Sequence, residues 1–186
     1  MNDTFSELNK ILSSYSKGNK KIAYSKMKKF SKHHINNEKI LFNLAVMEQD
    51  LGLTDLAKKN YIFLIDQFDY YKAKVNLYLL YLRETKYSEA LDIVENILQK
   101  NPNKIEVLLD KAYIFLKCEN IKSATNICIK ILSLDTKNIK TINMLGQCYI
   151  EDENFKEAEQ ILKKGISLDQ KNIAILNSLG KLYFCL

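Results

Sequence analysis

The sequence predicts an all-α fold, a solenoid of antiparallel helix pairs with about eleven helices in all. Three observations predict it. Turn-forming residues are scarce, with one proline and five glycines in 186 residues, whereas a β-rich chain needs frequent turns and the residues that make them. Alanine recurs in matching surroundings at Ala23, Ala57, Ala90, Ala124 and Ala158, at intervals of 34, 33, 34 and 34 residues. Apolar residues recur at the i, i+3, i+4, i+7 spacing that lines one face of a helix.

The units follow in order. The first spans about 4–37. Leu8, Ile11, Leu12 and Tyr15 make its first helix face, and Ala23, Met27 and Phe30 its second. Its gap to Ala23 is one residue short, so a tighter turn is expected around Gly18. The second and third units span 38–70 and 71–104, with Leu44-Ala45-x-x-Glu48 and Tyr87-Ser88-Glu89-Ala90 in phase. The fourth, 105–138, carries Lys111-Ala112-x-x-Phe115, then Ile121-Lys122-Ser123-Ala124 and the stripe Ala124, Ile127, Cys128, Ile131, Leu132. The fifth, 139–172, carries Ile142-x-x-Leu145-Gly146-x-x-Tyr149, then Phe155-Lys156-Glu157-Ala158, Ile161, Leu162, Gly165 and Ile166. A partial sixth, 173–186, repeats Leu176-x-x-Leu179-Gly180-x-x-Tyr183. Glycine or alanine in the first helix, and alanine in the second, let two helices approach closely. The junctions Asn101-Pro102-Asn103, Asp135-Thr136-Lys137-Asn138 and Asp169-Gln170-Lys171-Asn172 supply helix caps and stops. None is long enough for a linker, so residues 1–186 are expected to form one domain.

These units resemble the tetratricopeptide repeat, whose signature is Trp-x-x-Leu-Gly-x-x-Tyr, then Ala-x-x-x-Phe, then Pro. The best match runs Ile142-x-x-Leu145-Gly146-x-x-Tyr149, then Ala158-x-x-x-Leu162, with Gln170 at the proline position. Pro102 holds that position after Ala90 and Val94, and the tryptophan is absent throughout. The resemblance implies a right-handed superhelical solenoid whose first helices line a concave groove for an extended peptide or partner helix. On its groove positions fall Phe42 and Val46; Val75, Leu79 and Leu82; Leu109, Tyr113 and Leu116; Asn143, Gln147 and Ile150; and Asn177, Lys181 and Phe184. The groove should be apolar and aromatic early and amide-rich late. Phe42, Val46 and Leu79 stand where carboxylate-clamping relatives place polar groups, which disfavours chaperone-tail binding. Asn143, Gln147, Asn177 and Lys181 suit a peptide backbone held by side-chain amides.

Composition bounds the alternatives. Hydrophobic residues make up 47% and charged residues 27%, enough apolar material for a core and too much for a disordered chain. The net charge is +6, yet Arg83 is the single arginine, and phosphate-reading surfaces favour arginine's planar fork. No apolar run approaches the roughly 18 residues of a membrane helix, and the acid-containing start MNDTFSELNK is no secretory signal. Cys118, Cys128, Cys148 and Cys185 form no Cys-x-x-Cys pair and are expected as buried free thiols in a reducing cytoplasm.

A search for catalytic chemistry yields no constellation. No Gly-rich loop cradles phosphate. His33 and His34 are adjacent, so their rings diverge on a helix, and they are expected to be solvated at a helix end. Glu151, Asp152 and Glu153 fall in a predicted turn. Tyr70 and Tyr71 lie at a junction, where packing is favoured over base stacking. The reading is therefore a non-enzymatic interaction scaffold with no cofactor and no metal. Its rivals are the N-terminal recognition arm of a larger glycosyltransferase- or sulfotransferase-like enzyme, and a binder of nucleic acid or anionic surfaces. That last reading rests on eight lysines and no acid between Leu8 and Asn37; a solvated cap is the plainer account of them. Finally, Leu186 is expected not to be the natural end of the fold. Leu179, Leu182 and Tyr183 should lack a partner helix, through truncation or through self-association at this end.

Overall fold

The computed structural model describes the backbone of residues 2–186 and side chains from residue 4 onward. These residues form eleven α-helices and no strand: α1 (Asn2–Ser16), α2 (Lys20–Lys32), α3 (Glu38–Asp50), α4 (Thr54–Phe68), α5 (Tyr71–Arg83), α6 (Tyr87–Lys100), α7 (Ile105–Lys117), α8 (Ile121–Leu134), α9 (Ile139–Glu151), α10 (Phe155–Leu168) and α11 (Ile173–Cys185). Two compact units are distinguished, one up to Leu80 and one from Tyr81 to Leu186.

In the N-terminal unit, α1 packs on α2, α2 on α3 and α3 on α4. Leu8, Ile11, Ala23, Met27, Phe30, Ile40, Leu44 and Met47 form its core. In the C-terminal unit, α7 packs on α8, α8 on α9, α9 on α10 and α10 on α11. Its core joins Ile142, Ile150, Ala158, Leu162, Ile175 and Leu182, with Ala112, Cys128 and Leu145 beside them. All five periodic alanines are fully buried. Full burial is what a small side chain at a close helix approach would give, and a longer one there would have to displace its neighbours.

Each helix pair closes through a three-residue turn whose central residue has positive φ: Gly18 (94°), Gly52 (75°), Thr85 (58°), Glu119 (59°) and Glu153 (58°). Glycine occupies this left-handed region without strain. The turn at Gly18 is therefore not tighter than the others. Counting back from it, Ile11 and not Leu12 stands at the position held by Ala45, Ala112 and Gly146, so the apparent shortfall was a one-residue misplacement of the helix face.

The junctions cap as expected in two places and not in the third. Asn138 accepts a hydrogen bond from the Thr141 amide at 3.0 Å, and Asn172 from the Ile175 amide at 3.2 Å. Each asparagine also donates to the preceding aspartate, Asp135 at 3.1 Å and Asp169 at 3.0 Å. This repeated Asp–Asn clasp fixes the entry of α9 and α11. Before α7 the equivalent position is Lys104, which caps nothing, because Asn103 lies one residue too early.

Two further expectations need correction. Cys128 and Cys148 are buried, but Cys118 and Cys185 are exposed. Cys118 follows the last residue of α7, and Cys185 is the last residue of α11, so neither belongs to a packed stripe. Leu182, expected to lack a partner, is fully buried. It stands 34 residues after buried Cys148 and faces back toward α9 and α10, while Ile173, Leu176, Tyr183, Phe184 and Leu186 are exposed. No helix among the described residues is long and apolar enough to cross a membrane.

Candidate functional site

In the C-terminal unit the first helices of successive pairs touch, α7 against α9 and α9 against α11. A cavity of about 690 Å³ opens along them, lined by Leu116, Lys117, Gln147, Glu151, Asn177 and Lys181, among others. The 34-residue period explains the convergence. Asn143 and Asn177 are equivalent, as are Gln147 and Lys181, so residues one turn apart on α9 reappear beside themselves on α11.

The polar groups form a short chain. Ser178 donates to Asn143 Oδ1 at 2.8 Å, and Gln147 Nε2 donates to Ser178 Oγ at 3.4 Å. Lys181 Nζ meets Glu151 Oε1 at 2.6 Å. The Asn177 amide is exposed and has no partner among the described residues. Lys117 and Lys181 are balanced by Glu119 and Glu151, so the cavity carries no strong net charge. An exposed carboxamide beside a neutral polar lining offers a donor and an acceptor, the complement of a peptide unit.

The sequence-predicted residues divide between the two units. Gln147, Asn177 and Lys181 line the cavity, and Asn143 joins them through Ser178. Leu109 is half-buried on α7, and Tyr113 is exposed one turn later with Lys117 Nζ 5.6 Å from its ring centroid. Leu82 is half-buried near the end of α5. Ile150 belongs to the core instead, at 4% exposure. In the N-terminal unit, Val46 and Leu79 are exposed and Val75 is half-buried. Phe42 is already engaged: its ring packs at 5.3 Å from Tyr70 and 6.0 Å from Tyr61. Tyr70 thus packs as expected, whereas Tyr71, for which packing was also expected, is exposed at the start of α5. Glu151 and Ser178 were missed as cavity residues. Glu151 lies four residues after Gln147, so extending the helical stripe by one turn would have found it. Ser178 carried no signal, being a single serine between predicted positions.

The buried polar groups of the N-terminal unit are internal to it. Tyr24 and Asn60 donate to Glu48 at 3.3 and 2.6 Å. Burial raises the Glu48 pKa, and these two donors with nearby Lys28 only partly offset it. Tyr61 donates to Gln49 at 2.8 Å and accepts from Asn76 at 2.9 Å. His33 caps the end of α2, while half-buried His34 packs on Phe30 at 4.4 Å. Among the described residues, no group of three or more His, Cys, Asp or Glu side chains converges.

Residues 119–182 match the tetratricopeptide repeat family model. This segment consists of tetratricopeptide repeats by sequence, and the chain as a whole has the tetratricopeptide fold. A tetratricopeptide repeat protein from Parabacteroides merdae is similar with a TM-score of 0.88 at 21% identity, covering 98% of this chain and 73% of that one. MamA from Desulfovibrio magneticus RS-1, residues 41 to its end, gives 0.79 at 17% identity, covering 93% and 98%. YrrB, a repeat protein described as having an unusual peptide-binding site, gives 0.77 at 13% identity, covering 94% and 90%. No protein of curated function matches the sequence.

Proposed function

We propose that the chain is a non-enzymatic scaffold for protein–protein interaction, and that its C-terminal unit binds an extended peptide segment along α7, α9 and α11. The observation that carries this reading is the convergence of Gln147, Asn177 and Lys181 on one open cavity. Asn177 and the free oxygen of Gln147 supply donors and acceptors for the peptide backbone, and Tyr113 supplies an aromatic anchor at the edge of the same face. A peptide-binding site in YrrB, a protein of similar fold, adds support by analogy.

The test is to select binders from a displayed random-peptide library and measure the best by fluorescence polarisation. Tyr113→Glu and Asn177→Ala should each weaken binding by about tenfold or more, because interface energy concentrates in a few anchors, with helicity unchanged. Selected peptides indifferent to both variants would overturn the reading. Self-association through α11 belongs to the same proposal, since Phe184 is 92% and Leu186 73% exposed; sedimentation at rising concentration tests it.

A further inference from the structure

A second cleft lies wholly within the N-terminal unit. α1 and α2 enclose about 610 Å³ between them. Its floor is apolar, made by Ile11 and Phe30, both buried in the core. Its rim is cationic. Lys10 rises from α1 and Lys26 and Lys29 from α2, with the His33 imidazole one turn further on. The last three are spaced i, i+3, i+7, one stripe of a helix. A single carboxylate, Glu7, faces the three ammonium groups.

The fold sorts the lysine run that the sequence left undivided. Lys20 is neutralised by Asp50 at 2.6 Å. Lys28 lies close enough to Glu48 to lower its pKa. Lys10, Lys26 and Lys29 are exposed and have no ion-pair partner among the described residues. Lys17, Lys21 and Lys32 are exposed as well and stand outside the cleft, whereas Lys10, Lys26 and Lys29 share the rim of one concavity with an apolar base.

We propose that this cleft binds an acidic peptide segment. One apolar side chain rests against Ile11 and Phe30, and the flanking carboxylates lie between Lys10 on one side and Lys26 and Lys29 on the other. The concave shape and apolar floor favour a peptide. A duplex presents phosphates on a convex rod and offers no apolar side chain, and a lipid surface is best met by a flat or convex cationic face. Lysine, a point charge, suits single carboxylates better than bidentate phosphate recognition. The attraction should weaken as salt rises, because the charges are exposed.

The probe is a fluorescein-labelled oligoglutamate peptide with one central leucine, titrated into the full chain at two ionic strengths. Lys26→Glu with Lys29→Glu should weaken binding by about tenfold or more, as expected when like charges replace a complementary rim. Lys21→Glu with Lys32→Glu makes the same change in charge on the same helix outside the cleft, and should cost less than about twofold. All four lysines are exposed, and thermal melts of both variants confirm that the fold is kept. Equal losses in the two variants would reduce the effect to net charge and overturn the site. Oligothymidylate or phosphatidylserine vesicles that displace the peptide through the same lysines would overturn the peptide assignment. So would undiminished binding when glutamine replaces every glutamate of the probe.

Discussion

α9 and α11 carry the same motif in two settings. Leu145-Gly146-x-x-Tyr149 recurs as Leu179-Gly180-x-x-Tyr183. A Cβ added to Gly146 would lie 2.4 Å from Leu162 Cδ2 and 2.6 Å from its Cγ, whereas one added to Gly180 would meet nothing within 4 Å. At 146 the glycine is demanded by α10. At 180 no helix among the described residues makes the same demand, and glycine there costs about 1 kcal/mol relative to alanine for its backbone freedom. A repeat signature therefore specifies a contact only where the next helix is in place to make it.

The sharpest test of that difference is Gly146→Val. Leu162 is fully buried, so it cannot swing away, and the variant should lose about 3 kcal/mol, the upper part of the overpacking range. Gly180→Val should change stability by no more than about 0.5 kcal/mol, as a surface substitution does. Urea unfolding of the two variants side by side decides it. A Gly146 variant as stable as its partner would mean that α9 and α10 can separate without cost. Ala158→Leu comes next, at about 1–3 kcal/mol, because Ala158 is fully buried in the same pair. If that variant melts with the parent chain, the alanine register does not mark close helix contacts.

The alanine period was legible because every occurrence meets one steric need, and the structure buries all five. The amide cluster was legible for a related reason: a 34-residue period places Asn143 beside Asn177 and Gln147 beside Lys181 once the helices are in register. What escaped depended on single contacts. Ser178 joins Asn143 to Gln147, yet no periodic pattern distinguishes one serine. The face of α1 was misplaced because Leu8, Ile11, Leu12 and Tyr15 also satisfy helical spacing. Periodicity alone cannot choose between Ile11 and Leu12 for the small-residue position. The lysine run looked uniform until α3 brought Asp50 onto Lys20 and Glu48 into the neighbourhood of Lys28.

A smaller effect extends the comparison across units. Glu48 and Tyr149 stand at the same phase of their motifs, each three residues after the small residue, but Glu48 is 3% exposed and carries an ionisable group. Burial raises its pKa above the ordinary carboxylate value. The folded chain therefore holds this proton more tightly than the unfolded chain. The stabilisation is complete below the unfolded pKa and is lost as pH rises through the folded pKa. Glu48→Gln removes that loss, so the variant should gain relative to the parent at about pH 7 and show less of the gain at about pH 4. The difference between the two pH values is the quantity to measure, since it cancels hydrogen-bond changes common to both. A variant whose relative stability is the same at both values would mean that Glu48 is not penalised by its burial.

The smallest expected effect is the most informative about α11. Gly180 lies inside a helix (Ile173–Cys185), is not among the positive-φ glycines, and has open space where a Cβ would stand. Alanine fits there without strain and removes the backbone entropy that glycine loses on folding. Gly180→Ala should therefore raise stability by about 0.5–1 kcal/mol, read as a higher urea midpoint with an unchanged slope. The measurement should be made at both dilute and concentrated protein. A gain at both concentrations keeps the contrast with Gly146 intact. A gain at low concentration that turns into a loss at high concentration would mean that something seats against Gly180 in solution. The exposed Leu176, Tyr183 and Phe184 beside it would then be part of a contact between copies, and the two glycines would share one steric role after all.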